Sequence, residues 1–261
     1  MTRMFIFGLG YTAKRIAQAL RAAGWAIEAT GSDGSVAFDD NAAVEAALSR
    51  SSYVLSSVPP ADGSDPVLDR YAGALAGKWL GYLSSTGVYG DWQGAWVDEA
   101  VPTGGGRRTA RSECDSRWLD HGARVLRLPG IYGPGRSAFD RIRGGKAHRI
   151  DLPGQVFSRV HVDDIVGGVM ACLESDAPPG PYNLADDLPT SQNAVIEEAC
   201  RLLDVPPPPL QTMDEADLSP MARGFYAENR RVANGKAKRV LGWKPAYPTF
   251  REGLAAIKAQ E

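Results

Sequence analysis

The stretch FIFGLGYTAKRIA, residues 5–17, carries an apolar run through two glycines into a segment of helical period. Gly8, Gly10 and Ala13 stand in the spacing G-x-G-x-x-A. Each position answers a physical demand: a tight turn at the first glycine, close approach of backbone to a pyrophosphate at the second, and a small third residue where helix packs on strand. The free N–H groups of the helix start, at Tyr11, Thr12 and Ala13, then face the phosphates. An ordinary tight turn could use the same glycines, but placement directly after a strand and before a helix favours dinucleotide binding. The helix is read from Ala13, Ile16, Ala17, Leu20 and Ala23, which recur on one face, with Gly24 as its stop.

Outward from this unit, short apolar runs alternate with helix-period stretches. Strands are expected at 3–7, 25–30, 35–38, 53–58, 79–85 and 124–130, with helices over AAVEAALS, PVLDRYAGALAG and ECDSRWLDHG between them. This alternation describes an α/β protein, a Rossmann-type doubly wound parallel sheet covered on both faces. After residue 130, glycines and basic residues crowd the chain and loops are expected to dominate. Helices are expected at 163–175 and 190–205, the second capped by Thr190 or Ser191 and stopped by the prolines 206–209. PYNLA reads as a short strand, and a final apolar helix follows.

With 261 residues and 44% apolar side chains the chain can bury a large core. Its 29 basic and 31 acidic residues give a formal net charge of -2, so no overall field draws nucleic acid or an anionic membrane, and a small-molecule partner is expected. Cys114, Cys172 and Cys200 match neither a zinc nor a disulfide-framework spacing; His121, His148 and His161 find no third ligand in spacing, and no metal site is expected. No apolar run reaches the ~18 residues of a membrane span, and MTRMFIFGLGY does not read as a signal sequence. A cytoplasmic protein, monomer or homodimer, is expected.

The end of the second strand should choose between cofactors, because an acid there bonds a ribose 2′-OH and repels a 2′-phosphate. The strand ends EATGSD, with Thr30 and Gly31 at the deciding place; no acid blocks a phosphate, and Lys14 or Arg15 in the first helix could reach one. NADP is slightly favoured over NAD. Asp39 is a candidate for the adenine amino group, or equally for the N-cap of the next helix.

SSTGVYG (84–90), RLPGIYGPGR (127–136), RVHVDDI (159–165) and KRVLGWKP (238–245) follow the glycine turn in a telling order. Together they resemble the extended short-chain dehydrogenase/reductases, the NAD-dependent epimerase/dehydratase family, across nearly the whole chain. That family usually carries G-x-x-G-x-x-G, so the closer G-x-G marks an atypical branch. The resemblance implies a nucleotide-binding sheet of about seven parallel strands, residues 1–133 plus 155–180, and a small C-terminal substrate lobe from 134–154 plus 181–261. It also implies that Ser57, Val58 and Pro59 pass the nicotinamide ribose, that Pro129, Ile131 and Tyr132 lie beside the nicotinamide amide, and that Ser85, with Thr86 adjacent, is the catalytic hydroxyl.

The family's chemistry requires a tyrosine and a lysine four residues apart at the start of the helix after SSTGVYG, the cation lowering the phenol pKa so that a proton moves with the hydride. Here Arg107 falls in the tyrosine slot and Arg111 in the lysine slot. A guanidinium stays protonated near neutral pH and cannot replace the phenol as acid or base. Arg111 can still hydrogen-bond the nicotinamide ribose. Tyr89 and Tyr132 are the candidate replacement phenols, with apolar packing beneath a polar tip the commoner fate of such residues. Arg136, Arg149, Asn183 and Arg231, the last sharing its position with Arg230, are candidate contacts for a small, anionic or nucleotide-linked substrate; a solvated charge run and a turn cap are the alternatives. His161 is expected to bond into the next helix start. The expected function is an NAD(P)-binding oxidoreductase or epimerase for a hydroxyl or keto compound, the alternative a cofactor-binding sensor without turnover.

Overall fold

The computed structural model describes residues 1–106 and 109–261. RMFIF forms the strand Arg3–Phe7, whose alternate side chains serve two cores: Met4 and Ile6 belong to one, Phe5 and Phe7 to the other, all fully buried. A strand covered on both faces has no place for a polar side chain, which is why the run is continuously apolar. Six parallel strands stand in the order Gly180–Asn183, Arg124–Leu128, Trp79–Ser85, Tyr53–Ser56, Arg3–Phe7, Ala26–Ala29. About seven were expected; residues 35–38 make only a parallel bridge, Thr30 to Val36. Neighbouring parallel strands need a crossover of about a dozen residues, and the few between Thr30 and Val36 cannot provide one.

From Arg3–Phe7 the chain passes to Ala26–Ala29 on one side, then crosses to Tyr53–Ser56 on the other. Strand order therefore reverses at the first strand, and such sheets bind ligands in the crevice beyond the strand ends at that point. Helices Tyr11–Ala22 and Val162–Glu174 pack on one face of the sheet. Asn41–Ser49, Pro66–Tyr71 and Thr109–Asp120 cover the other.

The caps follow side-chain chemistry. Asp40, not Asp39, caps Asn41–Ser49 by accepting from the Ala43 N–H at 3.1 Å, while Asp39 pairs with Arg70 on the surface. Ser191 caps Gln192–Leu203, which ends on left-handed Asp204 (φ 55°) just ahead of the prolines. His161 caps Val162–Glu174, its Nδ1 accepting from the Asp163 N–H at 3.2 Å.

A smaller body follows the sheet. Helices Ala138–Arg143, Gln192–Leu203 and Phe250–Lys258 enclose a third core of Phe139, Ile196, Phe250 and Leu254. The parallel pair Gly130–Tyr132 with Arg159–His161 runs beneath it. The closing motif sides with the sheet: Ala237, Leu241 and Trp243 pack in the same core as Met4 and Ile6. Among the described residues no helix is long and apolar enough to cross a membrane.

Candidate functional site

A cleft of about 780 Å³ has one wall made by Gly10, Tyr11, Thr12, Ala13, Ser57, Ser85, Thr86, Arg111, Pro129 and Ile131, ten residues that the sequence singled out. They come from the ends of four strands and the starts of the segments that follow, which is where a doubly wound sheet gathers distant residues.

At the glycine turn the backbone is tied down on the inside and open on the outside. Gly8 has φ +82°, and a Cβ there would fall 3.1 Å from Ser57 Oγ and Val58 Cγ2. Its N–H donates to Thr30 Oγ1 at 3.1 Å, the Leu9 N–H donates to the Thr30 carbonyl at 2.7 Å, and the Ser57 hydroxyl donates to the Gly8 carbonyl. Gly10 differs: with φ -85° it is in ordinary extended backbone, and a Cβ there would meet no atom within 4 Å. The helix beginning at Tyr11 has no side-chain cap and no acidic residue in its first turn. Unspent N–H groups over open space at a bare backbone fit a pyrophosphate.

The end of the second strand differs from the sequence expectation. Thr30 is buried and its hydroxyl is taken by the turn, while a Cβ on Gly31 would press 2.8 Å from the Leu9 nitrogen; both shape the turn without lining the cleft. Arg15 is unavailable for a 2′-phosphate, because it holds Asp163 with two hydrogen bonds of 2.7 and 2.9 Å. Lys14 pairs with Asp33, an acid just past the strand end that the sequence reading passed over. Asp39, exposed and paired with Arg70, lies outside the cleft, as do Val58 and the exposed Pro59.

At the other end Ser85 Oγ accepts from the Gly87 N–H at 3.1 Å, which leaves the hydroxyl proton to donate. Arg111 lines the same wall and donates from Nη1 to Tyr82 Oη at 2.9 Å; Tyr82 in turn stacks on Trp118, ring centroids 5.2 Å apart. Arg107 lies outside the described residues.

Neither candidate phenol reaches the cleft. Tyr89 is buried in a polar chain: Asp115 accepts from Ser84 (2.6 Å) and from Arg127 Nη2 and Nε (2.7 and 3.1 Å), Arg127 Nη1 donates to Tyr89 Oη (3.0 Å), and Tyr89 donates to Asn183 Oδ1 (2.8 Å). A buried guanidinium needs acceptors for its N–H groups, and the phenol supplies one. Asn183, fully buried, completes the chain by donating from Nδ2 to the Ala233 carbonyl, so it is no substrate contact. Tyr132 packs in the third core with its hydroxyl 3.5 Å from the Thr249 carbonyl. Burial raises both phenol pKa values, with the Arg127 charge opposing at Tyr89.

Of the substrate candidates only Arg136 lines the cleft, its guanidinium 5.8 Å from the centre of the Tyr11 ring. Arg149 is engaged by Glu197 and the Pro208 carbonyl, and Arg231 by the Gly94 carbonyl, because each ties a short strand to its neighbour. Arg230 takes the place considered for Arg231: it lines the cleft and pairs with Glu228 at 2.9 Å. The opposite wall, with Arg141, His148, Phe157, Arg159, Gln192 and Tyr226, was not legible as a site. Its one sequence signal was the basic texture after residue 134, which placed Arg141 but none of the aromatics.

No family model matches the chain. The fold is that of the extended short-chain dehydrogenase/reductases, the NAD-dependent epimerase/dehydratase class; the human epimerase family protein SDR39U1, solved with NADPH, superposes with TM-score 0.78 at 16% identity, covering 100% of both chains. Within that fold the chain belongs to the same family as a conserved protein of unknown function from Silicibacter pomeroyi DSS, 38% identical, TM-score 0.89, over 100% of this chain and 99% of that one. It is also 36% identical over 141 residues to a 3-diazoavenalumate denitrifying reductase of a Streptomyces species, a match spanning 50% of this chain and 45% of that protein.

Proposed function

We propose that this protein binds NAD(P) across the glycine turn and reduces, or epimerises, a small polar substrate beside Ser85. The observation that carries this reading is that the uncapped helix start at Gly10 and the pair Ser85 and Arg111 face one cleft. When bound, the nicotinamide supplies or accepts the hydride. Gly8 shapes the turn, and the N–H groups at Tyr11 to Ala13 hold the pyrophosphate. Ser57, Pro129 and Ile131 frame the nicotinamide and its ribose, and Arg111 donates to the ribose. Ser85, held by the Gly87 N–H, donates its hydroxyl proton into a hydrogen bond with the substrate's accepting atom. A donor already oriented toward the developing negative charge lowers the barrier without reorganisation. The Arg111 cation, which lines the same cleft, favours the same charge.

In this reading residues 1–133 and 155–180 carry the cofactor, and the facing wall is shared between that part, through Phe157 and Arg159, and the remaining lobe, through Arg141, His148, Gln192 and Tyr226. Reduction is favoured over epimerisation, because the Streptomyces relative is named a reductase and because neither Tyr89 nor Tyr132 is in the cleft to shuttle a proton in both directions. NADP remains favoured over NAD on Lys14, which needs only to leave Asp33 to meet a 2′-phosphate. The same absence of a cleft-facing candidate phenol favours one second reading, a cofactor-binding sensor without turnover. Calorimetric titration with NADPH and NADH, followed by a 340 nm screen of carbonyl substrates with Ser85→Ala as control, separates them. Binding with Ser85-dependent turnover supports the enzyme, binding alone the sensor, and absence of binding removes both.

A further inference from the structure

The cleft's second wall has a charge the cofactor reading does not use. Arg159 is 7% exposed, lines the cleft, and lies on the strand paired in register with Gly130–Tyr132, next to the loop assigned to the nicotinamide. Among the described residues its guanidinium donates only to neutral acceptors: the Phe157 and Thr190 carbonyls at 2.9 and 3.0 Å, the Ser191 carbonyl at 3.4 Å and Gln192 Oε1 at 3.1 Å. These bonds satisfy N–H groups and leave the charge uncancelled. No ion pair joins Arg159 to a carboxylate among the described residues, although a buried cation without a counter-ion is costly.

The acid that acts on it through space is Asp186, which does not reach it. Asp186 is 2% exposed, accepts from the Leu188 N–H, and finds no hydrogen-bond partner for Oδ2 among the described residues. Burial pushes its carboxyl up to about 7, so near neutral pH it returns only part of a negative charge. The rest of the cleft deepens the deficit. Five arginines, Arg111, Arg136, Arg141, Arg159 and Arg230, line it among the described residues against a single acid, Glu228, itself paired with Arg230. Around Arg159 the wall is aromatic: the Phe157 ring is 5.9 Å from the guanidinium and meets the Tyr226 ring edge-on at 5.4 Å.

We infer that Arg159, with Arg141 at the rim, forms a subsite for the anionic oxygen group of a flat, unsaturated substrate, whose ring lies against Phe157 and Tyr226. This deepens the proposed function, since it names the substrate class for the same cleft. The anion supplies the counter-charge that Arg159 lacks, and an aromatic wall accepts a planar body without further polar groups. The anionic group could be a carboxylate or a phosphate, and the probes distinguish them.

The test titrates the full chain, free and with NADPH, with benzoate, phenyl phosphate and the neutral benzamide. At least one anion is expected to bind ~10-fold or more tightly than benzamide, the tighter one identifying the group, with the preference shrinking as salt rises. Arg159→Gln should abolish the preference and leave benzamide unchanged. Because Arg159 also ties down residues 190–192, Arg141→Gln, an exposed residue, serves as the second variant and should weaken the anion ~3-fold or more with no change in melting temperature. The inference is overturned if benzamide binds as tightly as both anions, or if the preference survives in both variants. Anion binding without NADPH binding would remove the cofactor reading and leave the subsite standing; NADPH binding without anion preference would do the reverse.

Discussion

Replacing Gly10 by aspartate should make the protein more stable and unable to hold its cofactor. Gly10 has φ -85° and ψ -168°, the extended geometry of a helix N-cap, and a Cβ there meets nothing within 4 Å. An aspartate in that place can accept from the free N–H groups of the first turn. The gain over glycine as N-cap is a few tenths of a kcal/mol, and a negative charge at a helix start adds about 0.3–1 kcal/mol. At about 2–4 °C per kcal/mol for a chain of this size, the melting temperature should rise by about 1–5 °C. The same carboxylate occupies the N–H groups and repels a pyrophosphate. Losing two charge-assisted hydrogen bonds of about 1.5–3 kcal/mol each weakens NADPH by ~100-fold or more. Differential scanning fluorimetry and calorimetric titration on the same sample read both effects. NADPH affinity within about threefold of wild type would show that the cofactor does not use this turn; a fall in melting temperature would show that Gly10 is bare for packing and not for a ligand.

Gly8→Ala should do the opposite to stability, since a left-handed backbone costs a non-glycine residue about 1–2 kcal/mol and Ser57 and Val58 crowd the new methyl; thermal melts should show a drop of about 2–8 °C. Asp33→Ala frees Lys14 and should tighten NADPH by ~3-fold or more while leaving NADH unchanged, measured by paired titrations. Asp115→Ala strands the Arg127 charge in the core beneath Ser84 and should cost about 3–5 kcal/mol in urea unfolding. Burial lowers the His161 pKa to about 4 from 6.5, so between those values the unfolded chain binds more protons than the native one and stability falls as pH falls. His161→Asn keeps a cap for the Asp163 N–H without the titration, and should flatten the plot of unfolding free energy against pH between 4 and 6.5 by up to about 1.4 kcal/mol per pH unit relative to wild type. Parallel plots would place the proton elsewhere.

The first wall of the cleft was legible because local rules write it. A continuously apolar strand, two glycines and a period-3.6 helix fix Arg3–Phe7 and Tyr11–Ala22 almost to the residue, and the strand ends that follow at Ser57 and Ser85 are gathered by the parallel sheet. The second wall has no such grammar. Phe157, Gln192 and Tyr226 stand about 35 residues apart along the chain, and no local pattern ties the three to one space. Side-chain type misled for a related reason. Tyr89 and Tyr132 have the chemistry of a proton donor, but a phenol is equally the cap for a buried arginine or the polar tip of a lobe core, and burial partners do not appear in a linear pattern.

The buried chain from Ser84 to Asn183 gives that displacement a purpose. Ser84 precedes Ser85 on its strand, and Asp115 lies one helical turn after Arg111. The hydrogen bond between Ser84 and Asp115 therefore sets the distance between the strand that presents the hydroxyl and the helix that presents the guanidinium. Arg127 and Tyr89 lock that contact from below, on the neighbouring strand and on the turn after Ser85. A phenol drawn down into this chain cannot work in the cleft. It rigidifies instead the two groups that do face the cleft, and a site that stabilises charge through fixed donors depends on that rigidity.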